Sequence, residues 1–211
     1  MRLASARSLG LIAALTAATL LLAGCQNDER EPASSEAQGQ STVKKDTAES
    51  ARMSVRDLLQ AARSGQLAQV RRAVTTEGLE AGASDQRGNT PLMLASYNGH
   101  TAVVEFLVDQ GAQIGARNGQ GRTALMFAAT GPFPETVARL LERGADPNAT
   151  DKAEGWSPLM FAAAEGNREV VEQLLEHGAD PTRADRDGET ALTFAENGNH
   201  SAVVNLLDIQ K

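Results

Sequence analysis

The apolar residues of this chain fall into three regimes. Leu9 to Leu22 is an apolar stretch without a charge. Gln26 to Met53 is polar, and Val43 and Met53 are its only strongly apolar residues. Beyond Met53, apolar and polar positions return in blocks of about the same length. The first stretch is too short to read as a membrane-spanning helix, which needs about 20 residues. The second is rich in Ser, Glu, Gln, Ala and Thr, so it has little apolar surface to offset the entropy of ordering. It predicts a flexible tether over residues 25–53, with a mean reach on the order of 30 Å. The third predicts one folded domain over residues 54–211.

Aligned on itself, the third region gives four blocks that begin at Asp85, Asn118, Asp151 and Asp185, with a looser one before them. Two glycine series fix the register. Gly88, Gly121, Gly155 and Gly188 are spaced 33, 34 and 33 apart, and Gly78, Gly111, Gly144 and Gly178 are spaced 33, 33 and 34 apart. The second block, NGQGRTALMFAATGPFPETVARLLERGADPNAT, shows the plan. A glycine turn leads to a Thr-x-Leu segment, a second turn, an apolar pair pattern and a closing Gly-Ala-Asp. This pattern resembles the ankyrin repeat. The resemblance covers about residues 54–211 and is specific, because the motif recurs in phase. It implies an all-α solenoid of about five helix-turn-helix repeats with short β-turn fingers, over 54–84, 85–117, 118–150, 151–184 and 185–211.

The residue chemistry supports that architecture. Thr90, Thr123, Ser157 and Thr190 stand one residue before helix starts, where a hydroxyl caps orphan N–H groups. Pro91 and Pro158 take the first helical position, where a missing N–H costs nothing. Ala95, Ala128, Ala162 and Ala195 let neighbouring helices approach closely. Gly78, Gly111, Gly144 and Gly178 end second helices, where a left-handed residue is wanted. No block buries its apolar stripe alone, but stacked blocks share a continuous core. Three departures from the family pattern stand out. Met93, Met126, Met160 and Thr193 replace the usual histidine, so apolar packing is expected where a polar network is normal. Gly131-Pro132-Phe133-Pro134 replaces the usual Gly-His turn. The third finger, Asp151 to Gly155, is one residue longer.

Composition and charge narrow the function. Apolar residues are 41% of the chain but aromatics only 3%, which favours helices packed through Ala and Leu over a large sheet. The formal charge is −7, which argues against a nucleic-acid partner. The lone cysteine, Cys25, excludes an internal disulfide. It closes the sequence Leu22-Ala23-Gly24-Cys25 behind Arg2, Arg7 and the apolar stretch. This arrangement resembles a bacterial lipobox. It implies a signal peptide over residues 1–24, lipidation of Cys25 and a chain held at the periplasmic side of a membrane. Gln26, in place of aspartate after the cysteine, favours the outer membrane.

The sequence offers no catalytic residue, metal or cofactor. Three methionines could suggest a soft copper site. Equivalent positions in neighbouring repeats should lie roughly 8–10 Å apart, too far for one ion. His100, His177 and His200 fall in turns or at a helix end, in different repeats, and Ser157 lacks a base. The resemblance instead implies a monomer that binds another protein through its concave face and fingers. Arg87, Tyr97, Arg122, Phe133, Glu154, Trp156 and Arg186 are the candidate contacts. Trp156 and Tyr97 fall where the repeat does not need them for its core. The acidic second helices, with Glu142 and Glu172, read as a solvated back. An immunity or inhibitor protein against an exported toxin, and an accessory protein of a periplasmic enzyme such as catalase, fit the same plan. An enzyme of unknown chemistry is the alternative of another class.

Overall fold

A computed structural model describes residues 52–208. The predicted signal segment, Cys25 and nearly all of the tether lie outside the described residues. Among the described residues, ten α-helices form five pairs: α1 (Val55–Arg63) with α2 (Leu67–Arg71), α3 (Pro91–Tyr97) with α4 (Thr101–Asp109), α5 (Ala124–Ala129) with α6 (Pro134–Glu142), α7 (Pro158–Glu165) with α8 (Arg168–Glu176), and α9 (Ala191–Asn197) with α10 (Ser201–Asp208). Each first helix packs on the next first helix, from α1 to α9, and each second helix on the next second helix. The result is the two-layered all-α stack expected from the repeats. Among the described residues, no helix is long and apolar enough to cross a membrane.

The core runs unbroken between the layers. Leu58, Leu92, Leu125 and Leu159 are buried in successive first helices, and Val70, Val103, Val137, Val170 and Val203 in successive second helices. Ala62, Ala95, Ala128, Ala162 and Ala195 have no exposed surface, so small side chains set the spacing between neighbours. Met53, at the end of the predicted tether, already packs against this core. Glu196 is exposed in the register where Ser96, Ala129 and Ala163 are fully buried. No described repeat follows it.

The helix starts refine one expectation. Thr90, Thr123 and Ser157 accept from the backbone N–H of Met93, Met126 and Met160 at 3.3, 3.4 and 3.3 Å. The methionine sulfurs in turn accept from the backbone N–H of the capping residues at 3.5, 3.5 and 3.3 Å. Apolar packing therefore does not wholly replace the polar contact. A thioether is a weak acceptor, and here it closes a capping box while its chain fills the core. In the last repeat, Thr193 does the same through its hydroxyl.

Gly111 shows how a second helix ends. Its φ is +84°, and its N–H and that of Ala112 bond back to Val108 and Leu107 at 3.0 and 2.9 Å. A Cβ there would meet nothing within 4 Å. The penalty of Gly111→Val is then backbone strain alone, about 1–2 kcal/mol. Thermal unfolding should show a lowered midpoint with unchanged helix content, and an unchanged midpoint would contradict the left-handed assignment.

Two local irregularities have plain causes. Gln66 to Gly78 holds one residue more than His100 to Gly111, and the second helix of the first repeat absorbs it as a π-helical turn, Arg72–Thr76. In the third repeat, Pro134 has no N–H to bond the turn as Thr101 does to Gly99 O. Phe133 N–H bonds Gly131 O at 2.9 Å instead.

Candidate protein-binding face

Each finger is built on an acceptor at its base. Asp85, Asn118 and Asp185 accept from backbone amides two and four residues ahead, at 2.8 to 3.0 Å. Asp151 accepts from Glu154, Gly155 and Trp156 at 3.1, 2.9 and 3.2 Å, which absorbs the extra residue of that finger. The fingers then join edge to edge. Gly119 N–H donates to Arg87 O, Lys152 N–H to Gln120 O, and Arg186 N–H to Glu154 O, at 2.8, 2.8 and 3.0 Å. Three of the predicted contact residues, Arg87, Glu154 and Arg186, stand exposed on this ladder of tips. The Arg186 guanidinium is engaged there by Ala153 O at 2.6 Å.

The fingers and first helices share one face. Asn89, Arg122, Trp156 and Glu189 occupy the same register at the finger bases, and Leu94, Phe127, Phe161 and Phe194 the same register on the first helices. Finger-base residues lean across to the next repeat. The Arg122 guanidinium lies 4.9 Å from the Phe161 ring centre and 3.4 Å from the Asp151 carboxylate. The Trp156 ring lies 5.1 Å from Phe161 and 4.4 Å from Phe194. Tyr97 meets Phe127 edge-on at 6.1 Å. Predicted residues Tyr97, Arg122 and Trp156 are thus brought onto one stripe. Its aromatic floor was missed from sequence, although the three phenylalanines recur one residue after the capping methionine or threonine.

Two expectations need correction. Phe133 does not join this stripe. It fills the turn between α5 and α6, against Gly99 and Gly131, where a Cβ on either glycine would collide with its ring. His100 and His200 fill the matching turns against Gly65 and Gly166. Their ring Nε2 atoms donate to Arg63 O and Ala164 O, both at 3.0 Å. Phenylalanine fills the same space without a polar group. Trp156, in turn, is not free of the core. It is half-buried and packed against it, because its ring covers helices of two repeats. Tyr97 is different: at 48% exposure it is the large hydrophobic side chain left open to solvent among the described residues.

The opposite surface is laced with ion pairs. Arg139 bridges Glu105 at 3.1 Å and Glu142 at 2.9 Å, Arg143 meets Asp109 at 2.7 Å, and Arg168 meets Glu172 at 2.6 Å. The described residues hold no group of three or more His, Cys, Asp or Glu placed to bind a metal. Ser157 is occupied as a helix cap.

Partial burial pushes the Asp85 carboxyl up, but hydrogen bonds from Asn89 and the Arg87 amide outweigh this and hold it below the usual carboxylate range. A depressed folded-state value means that Asp85 stabilises above the unfolded value near 3.8 and loses that contribution as pH falls through the lower folded value. Asn118 does the same structural work without titrating. Asp85→Asn should therefore reduce the stability lost on acidification below about pH 4. Thermal midpoints that fall equally in both proteins would contradict this.

A finger ladder and an aromatic stripe on the first helices give one side of the stack a different chemistry from its salt-laced back. No curated protein matches the chain. The family model of ankyrin repeats in three copies matches residues 58–151 and again 131–211, and the chain belongs to the ankyrin-repeat family, whose repeats are in general protein-binding modules.

Proposed function

We propose that this protein is a lipid-anchored, periplasm-facing binding module that grips a partner protein with its fingers and first helices. The observation that carries the reading is the exposed Tyr97, continuous with Phe127 and flanked along the same face by Arg122 and Trp156. Tyrosine, tryptophan and arginine dominate the energetics of protein interfaces. Four fingers in a row can present a standard contact area of about 800 Å². The anchor rests on the sequence alone: the Leu-Ala-Gly-Cys segment behind a basic, apolar start. Two or three acyl chains hold a protein firmly at a bilayer where one does not. Gln26 after the cysteine favours the outer membrane.

Two experiments test the parts separately. Labelled palmitate should enter the wild-type chain and not Cys25→Ser; incorporation by the variant would remove the anchor. A periplasmic extract passed over the immobilised protein should yield a partner that Tyr97→Ala fails to retain. Equal retention by both proteins would move the binding site elsewhere.

A further inference from the structure

The charge of the folded part is unevenly placed. Residues 151–211 carry 12 Asp and Glu against 5 Lys and Arg, whereas residues 52–150 carry 9 against 10. On the back of the stack, acids such as Glu105, Asp109 and Glu172 are matched by arginines. On the last two fingers, Asp151 apart, they are not. The carboxylates of Glu154, Asp187 and Glu189 have no hydrogen-bonded or ionic partner among the described residues. Of the two cations on the same tips, Arg186 is already held by Ala153 O, and Lys152 remains exposed. Glu189 also stands in register with Trp156, at the base of the finger that leads into the helix carrying Phe194.

The molecule contains its own example of what such a place holds. One repeat earlier, the Arg122 guanidinium lies over the Phe161 ring at 4.9 Å while bonding the Asp151 carboxylate at 3.4 Å. An aromatic face and a carboxylate together satisfy both the flat surface and the N–H edge of a guanidinium. We propose that the finger-side surface of the last two repeats takes an extended cationic segment of the partner, with Arg or Lys alternating with apolar residues. This rests on the protein-binding reading above. An extended chain directs alternate side chains to opposite sides. One set reaches the acids Glu154, Asp187 and Glu189, and the other settles on Trp156 and Phe194.

Trp156 is the single tryptophan of the chain, so it reports on this surface directly. The probe is a short acetylated peptide of alternating Arg and Leu, added to the full chain and followed by tryptophan emission and, independently, by calorimetry. The matching Glu and Leu peptide is the control. Saturable binding of the Arg peptide is expected, about tenfold weaker on going from low to high salt, with no binding of the Glu peptide. Glu154→Gln combined with Glu189→Gln should weaken it about fivefold, whereas Glu142→Gln, on the back of the stack, should leave it unchanged. Equal binding of the two peptides, binding of neither, or indifference to the double variant would overturn the inference. If that happens while Tyr97→Ala still loses the captured partner, the protein-binding reading stands and only the partner's chemistry is wrong. If Tyr97→Ala also keeps the partner, the binding face itself is misplaced.

Discussion

Asp151→Ala should lower the stability of the stack by about 2–3 kcal/mol. Its carboxylate is 1% exposed and accepts from three backbone amides while pairing with Arg122. Alanine removes the acceptor and leaves three partly buried donors and one guanidinium without it. Each such loss is worth about 1 kcal/mol, less what entering water restores. The finger is also the edge on which the third and fourth repeats meet, through Lys152 N–H and Gln120 O. Asp151→Asn keeps an acceptor, as Asn118 does one repeat earlier, and loses only the charge. Its expected cost is about 1 kcal/mol. Denaturant titration of the three proteins should rank wild type, Asn and Ala in that order. Two variants within about 0.5 kcal/mol of wild type would show that the finger is not held from its base.

Tyr97→Ala should weaken partner binding by about 2 kcal/mol, roughly thirtyfold, at little cost to the fold. The side chain is half exposed, and its one described aromatic contact is the edge of Phe127. Such a pair contributes about 1 kcal/mol. Trp156 makes a poorer test. Its ring joins Phe161 and Phe194 and packs on the core, so Trp156→Ala would mix lost binding with lost stability.

Much of this architecture was legible before the structure, because each repeat states it again. Thr90, Thr123 and Ser157 marked helix starts, and Gly111 and Gly144 marked ends, through local backbone chemistry that needs no knowledge of neighbours. The candidate face was legible only in part. Tyr97 and Arg122 fell where the repeat pattern put them. The contact of Trp156 with Phe194 joins two repeats, and nothing in the spacing of either repeat tells whether the indole faces solvent or its neighbour. Phe133 misled for a related reason. An aromatic in a proline-rich turn looks free, but two glycines open a slot that admits its ring. The capping role of Met93, Met126 and Met160 was hidden because a thioether reads as apolar filling until its sulfur is seen beside an amide.

The central claim is that one side of the stack binds and the other does not. The direct measurement is the affinity of the captured partner for three proteins: wild type, Tyr97→Ala, and the double variant Glu142→Gln with Glu172→Gln. Those glutamates lie on second helices, paired with Arg139 and Arg168 at the surface, where a charge contributes about 0–1 kcal/mol. The account predicts a dissociation constant raised about thirtyfold by Tyr97→Ala and changed less than about threefold by the double variant. Loss of the partner by the double variant, with Tyr97→Ala binding as wild type does, would contradict it.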